Sequence, residues 1–130
     1  MTVLAAEDCA VLLLDLKRVV GTCSNSCPFH TRLVRNLLGV LAGKNLALNR
    51  RMVHLSRRST REKLLSYLSE QAARAGGTEF SIPFDRQGLA DYLCVERSAM
   101  SAVLSRLREE GVLETHRNHF RLLRLPEEDL

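Results

Sequence analysis

Seven positions between residues 34 and 55 constrain this chain more than anything else in it. They are Val34, Leu38, Leu41, Asn45, Leu48, Met52 and Leu55, separated by steps of 4, 3, 4, 3, 4 and 3. A strand alternates every second residue and cannot produce that series. A helix lays these side chains on one stripe, and a strict 3.5-residue repeat is the seam along which two helices wind round each other. None of the seven is charged. Asn45 sits inside the seam, where a polar side chain lowers stability but selects register and strand number. Leu33, Leu37, Val40 and Leu46 widen the apolar face. Packing against the chain's own core is therefore the competing reading, and the uncharged seam favours a dimer.

Charge is distributed unevenly around this helix. Residues 32–61 carry Arg32, Arg35, Lys44, Arg50, Arg51, Arg57, Arg58 and Arg61 and no acid, a net of +8 within a chain of net +4. The opposite extreme is a tail at 126–130 containing Glu127, Glu128 and Asp129. Eight uncompensated cations call for a polyanion, an acidic partner or plain solvent. The longest apolar run, residues 9–14, is six residues, against the roughly 20 that a membrane span needs. With no secretory signal pattern at the start, the four cysteines read as reduced thiols in a cytoplasm.

The 130 residues suffice for one domain or a small domain with an appendage. Residues 2–20 have strand composition but too little of it to stand alone, and residues 21–28 read as a loop. Ser59 and Glu62 have the spacing of a capping box and open a helix carrying Leu64, Leu65, Leu68 and Ala72 on one face, stopped at Gly76-Gly77. Phe80, Ile82 and Phe84 alternate along a short strand, and Asp85 caps the next helix.

Residues 85–111 have the spacing of a helix-turn-helix. Leu89 and Leu93 face inward on the first helix, with small Ala90 where the two helices touch. Cys94, Val95 and Glu96 make the turn. The second helix buries Met100, Val103, Leu104 and Leu107, which fall at i, i+3, i+4 and i+7. Its other face is Arg97, Ser98, Ser101, Ala102 and Ser105. A helix that enters a major groove needs this surface, without bulk and with hydrogen-bonding groups toward its start. Residues 112–116 and 119–123 then pair around Arg117-Asn118, a hairpin bearing Arg117, Arg121 and Arg124. The whole is a winged helix-turn-helix, in which Arg57, Arg58, Arg61, Arg86 and Arg117 are candidate phosphate contacts.

The segments REKLLSYL, FSIPFDRQGLADYL, CVERSAMSAVLSRLREEGVL and HRNHFRLL, within residues 61–123, resemble the DNA-binding domain of the Crp/Fnr transcription regulators. Residues 30–58 resemble that family's dimerisation helix, and residues 2–20 loosely resemble the last strands of its sensor β-roll. The resemblance implies a mainly α fold with a small β part. It would comprise a β-roll remnant at 1–29, a dimerisation helix at 30–58, a winged helix-turn-helix at 59–125 and an acidic tail at 126–130. It implies a cytoplasmic homodimer that reads a palindrome in double-stranded DNA and contacts RNA polymerase. Arg97, Ser98 and Ala102 match positions that read bases, and Ser101 shares their face. Arg86, Gln87 and Glu96 match phosphate-facing helix starts, and Arg61 lies near another backbone contact.

The chain departs from the family pattern in places. Ala102 replaces a longer or polar side chain and removes one base contact. Glu96 is a weak N-cap by residue type and repels phosphate. Cys94 stands where glycine takes positive φ more easily. Gly88 removes the acid that would complete a capping box with Asp85. Most of the sensor β-roll precedes residue 1 in the family, so no effector-binding residue carries over. A truncated product, a fragment and a shortened regulator all fit.

Other chemistry is thinly signalled. Cys23, Cys27 and His30 have metal-like spacing but supply only three ligands, so that Cys9 or Cys94 would have to serve as a fourth; loop thiols are the plainer reading, and an iron-sulfur or redox-sensing site is the rival. His116 and His119 alternate onto one side of the wing, and His54, beside the seam, reads as a surface or interface residue. No nucleophile elbow, phosphate loop or zinc-protease signature occurs, so an enzyme is not expected. The rival to a DNA-binding regulator is an interaction module that dimerises with a full-length relative and modulates it.

Overall fold

The computed structural model describes residues 3–21 and 27–124. Cys23 and the acidic tail lie outside them. The chain divides into two compact units, Met1–Asn45 and Leu46–Leu130.

In the first unit, residues 3–15 hold no regular element, and α1 (Leu16–Gly21) follows. The strands expected over 2–20 therefore do not form in the described part. A β-strand needs a partner for its backbone groups, and residues 3–15 pair with none of the described strands. Asp15 favours a helix start instead: its Oδ1 accepts the amides of Lys17 and Arg18 at 3.0 and 3.5 Å. The apolar side chains of Val11, Leu12 and Leu13 are exposed.

The long helix α2 runs over Pro28–Leu55. Proline suits a first helical position because its missing N–H would have had no partner there. Its 28 residues span about 42 Å at 1.5 Å per residue. Of the seam residues, Leu38, Leu41, Leu48 and Met52 are exposed, as is Asn45, whereas Val34 and Leu55 are half-buried.

The second unit is built on three further helices and a sheet. α3 (Thr60–Ala75) begins with the expected capping box: Ser59 Oγ accepts the Glu62 amide at 3.1 Å, and the Glu62 carboxylate accepts the Ser59 amide. It ends at Gly76, whose φ of 70° suits a residue without Cβ. β1 (Glu79–Ser81), α4 (Arg86–Leu93), α5 (Arg97–Glu109), β2 (Leu113–His116) and β3 (His119–Leu122) complete the unit. The antiparallel sheet has the order β1-β3-β2, with Phe80 opposite Phe120 and His116 opposite His119. That register leaves Arg117 and Asn118 as a two-residue turn, and Arg117 takes a positive φ of 54°.

Leu64 and Leu68 of α3, Leu89 and Leu93 of α4, Met100 and Leu107 of α5, and Leu113 and Phe120 of the sheet form one core. Val95 and Val103 pack at its edge. The core holds α4 and α5 to the sheet and leaves the far side of α5 facing outward.

Candidate nucleic-acid interface

The turn between α4 and α5 sets the angle of the outward helix. Cys94 adopts the left-handed conformation at φ 50°. This lets the Cys94 amide donate to Asp91 O and the Val95 amide to Ala90 O at 3.0 Å, which satisfies two of the last carbonyls of α4. Ala90 is fully buried and small enough for the helices to meet. At the other end of α4, Asp85 Oδ1 accepts the Gly88 amide at 2.7 Å. A Cβ on Gly88 would stand 3.2 Å from that same oxygen. The glycine that lacks a capping-box acid thus makes room for the cap.

Glu96 corrects the expectation of a weak N-cap. Its carboxylate accepts the Ala99 amide at 2.9 Å and the Ser98 hydroxyl. The Ser98 hydroxyl above all, and then the backbone amides, hold the Glu96 carboxyl below the usual carboxylate range. Ser98 is exposed at the start of α5, yet its hydroxyl is committed to Glu96.

Arg97, Ser101, Ala102 and Ser105 are all exposed on one face of α5. Arg97 makes no hydrogen bond or ion pair with the described residues. It lines a concavity of about 540 Å³ with Arg86, Gln87, Arg117 and Asn118. The start of α4, the start of α5 and the wing turn thus bring four of the expected DNA-contact residues to one place. Gln87 Nε2 donates to Asp91 Oδ1 at 2.9 Å along α4, and Arg117 is exposed at the turn tip.

Arg86 is held differently from a free surface cation. Its guanidinium lies over the Phe120 ring at 5.2 Å, and Nη2 donates to Thr115 Oγ1 at 2.8 Å. Burial, and then the neighbouring charge of Arg108, lower its pKa. Arg61 does not line the concavity and is paired with Glu110 at 2.6 Å. Arg57 and Arg58 are exposed.

Some placements have no sequence signal. His54 is buried, not superficial: Nδ1 lies 2.8 Å from Ser66 Oγ, Nε2 lies 2.7 Å from Glu70 Oε2, and the ring meets the edge of Tyr67. Arg51 donates from Nε to Tyr92 O at 2.9 Å and from Nη2 to Asp91 O at 3.3 Å, with its guanidinium over the Tyr92 ring. It therefore serves carbonyls at the C-terminus of α4 from 41 residues away. His119 of the wing bonds to Ser81 and Glu79. Among the described residues, no three potential metal ligands gather, and no helix is long and apolar enough to cross a membrane.

Comparison with known proteins gives a consistent picture. The family described as the Crp-like helix-turn-helix domain matches residues 62–127. FixK2 from Bradyrhizobium japonicum aligns with a TM-score of 0.60 and 25% identity over 72% of this chain and 48% of its own. A CooA mutant from Carboxydothermus hydrogenoformans gives 0.57 and 20%, covering 73% of this chain and 46% of its own. TTHB099 from Thermus thermophilus, a transcriptional regulator of the CRP family, gives 0.56 and 23%, covering 78% and 52%. The chain spans about half the length of these solved proteins. No curated protein sequence matches it.

Proposed function

The chain belongs to the family of the Crp-like helix-turn-helix domain, and from that premise we propose that it is a homodimeric, sequence-specific DNA-binding transcription regulator without enzymatic activity of its own. It acts in the cytoplasm on a palindromic operator and contacts RNA polymerase there. The observation that carries this reading is the outward face of α5. Arg97 projects there without a partner among the described residues, short side chains leave room along the helix, and Arg86 and Arg117 flank it.

In this reading Arg97 reads a base edge, with Ser101 and Ala102 against neighbouring bases. Ser98 joins them only by giving up Glu96. Arg117 and Gln87 meet phosphates, and Arg61 does so only after exchanging Glu110. The stripe from Val34 to Leu55 pairs with its copy.

Binding of labelled duplexes, followed by fluorescence anisotropy across a salt series, tests the reading. A steep fall of affinity with salt and recovery of a palindrome from random sequences are expected. Salt-independent or background binding would instead favour an interaction module that pairs with a full-length relative.

A further inference from the structure

Residues 46–55, the end of α2, belong to the second unit and show two faces there. Leu48 and Met52 of the uncharged stripe are exposed. Arg50, Arg51 and His54 turn toward the rest of the unit. His54 meets Ser66 and Glu70 of α3, and Arg50 Nε lies 3.6 Å from Glu70 Oε1. Arg51 reaches a different element, α4, at the turn that precedes α5.

That turn needs support. Cys94 holds a φ of 50° and a ψ of 52°, where a Cβ crowds the backbone and glycine does not. Arg51 binds the turn on several sides. Nε donates to Tyr92 O at 2.9 Å, and Nη2 donates to Asp91 O at 3.3 Å and lies 3.8 Å from Cys94 Sγ. The guanidinium also covers the Tyr92 ring at 5.0 Å and faces the negative end of α4. A planar fork fixes where two carbonyls lie relative to α2, which a mobile ammonium does not. Directly beyond Cys94, Val95 and Glu96, α5 begins at Arg97, so the turn sets its direction.

We propose that Arg51 is a positioning residue for sequence recognition: from α2 it holds the Cys94 turn, and through the turn it aims Arg97 and Ser101 of α5. The target of that aim rests on the DNA-binding reading above, whereas the clamp itself does not. Base contacts are short-range and tolerate a misplacement of only ~0.5 Å, while attraction to phosphates is long-range and carries no sequence information. A loosened turn therefore costs discrimination before it costs general affinity.

Arg51→Lys keeps the charge and loses the fork. Adding Cys94→Gly to it relieves the turn. Both proteins are compared with the parent on two probes at one salt concentration: the duplex that the parent recovers from random sequences, and a scrambled duplex of equal length and composition. Arg51→Lys should bind the recovered duplex about tenfold more weakly, the scale of one weakened base contact, and the scrambled duplex as the parent does. Cys94→Gly should return most of that loss. Amide protection factors of the DNA-free proteins are the second measurement, with Arg51→Met as a further variant. The Val95 and Met100 amides, bonded to Ala90 O and Glu96 O, should lose protection relative to buried Leu68 of α3. Cys94→Gly should restore it. A role in general stability alone would lower all these factors in step and leave the ratio between the duplexes unchanged. That outcome overturns the proposal, as does an equal loss on both duplexes. If the parent recovers no sequence and binds neither duplex above background, the DNA reading falls and protection decides the clamp: selective loss at the turn keeps it, and uniform loss removes it.

Discussion

Arg97 and Ser98 stand side by side at the start of α5, yet only one of them is at liberty. Ser98 donates to Glu96, so meeting a base costs it an existing charge-assisted bond. Arg97 has no such tie and can present its planar fork to O6 and N7 of a guanine. Arg97→Ala should therefore cost about 1–3 kcal/mol per half-site and relax the preference at one G, read by binding-site selection. Arg97→Lys should recover affinity more than specificity, and an unchanged motif in Arg97→Ala would make Arg97 a backbone contact. A second residue carries a pH dependence. Burial in the core first, and then the neighbouring Tyr92, push the Tyr67 hydroxyl from 10.0 up to about 12. The folded chain holds that proton more tightly than the unfolded one. Its contribution is complete below the unfolded value of 10.0 and is lost as pH rises toward about 12. Tyr67→Phe should move the alkaline unfolding midpoint upward, followed by tyrosinate absorbance and circular dichroism. Equal midpoints in the two proteins would place the alkaline transition elsewhere.

At the level of elements, what could be read from sequence is what local chemistry determines. The Ser59–Glu62 box, the Asp85 cap, the buried face of α5 and the Arg117-Asn118 turn all depend on residues within one or two helical turns of each other. Each forms as its spacing implies. The strand composition of residues 2–20 misleads because a strand exists only with a neighbour, and side-chain type cannot supply one. Glu96 and Arg86 were legible as positions but not as conformations. Arg86 is tied to Thr115 and Phe120, contacts that depend on how the chain returns on itself, whereas Glu96 takes up Ser98 two residues on, a local bond that residue type alone does not announce. Arg51 is the extreme case. Counted in sequence as one cation of a basic block, it holds two carbonyls at the end of α4. A lysine at that position keeps the charge but loses the fork and the stacking on Tyr92. Arg51→Lys should lower stability by roughly 1–2 kcal/mol in urea unfolding, the scale of hydrogen bonds from a charged donor. A loss within a few tenths of a kcal/mol would mean that water caps those carbonyls equally well.

The whole molecule must cover the stripe on α2. Leu38, Leu41, Leu48 and Met52 are each more than half exposed, at 58–66%. Apolar surface left in water forgoes about 25 cal/mol for every Å² that a partner could bury, and the proposed dimer would recover it. In the dimer proposed above, Asn45 is the residue that would select which assembly forms. Asn45→Leu should raise thermal stability while allowing species other than the dimer, because the polar group that penalises other registers is gone. Leu41→Lys should act in the opposite sense, placing like charges across the two-fold axis and yielding monomers in sedimentation at tens of micromolar, an order-of-magnitude concentration. Dimerisation and operator recognition should fall together. Two α5 helices reach half-sites about one helical turn (~34 Å) apart only if something joins them, and the joined pair gains from the high effective concentration of the second helix. A monomeric Leu41→Lys chain should therefore bind a full palindrome about 10²-fold or more weakly than the parent, and a single half-site equally well. If Leu41→Lys stays dimeric, or stays monomeric like its parent with the same operator affinity, the stripe on α2 serves the fold of its own chain, and operator symmetry must arise from another surface.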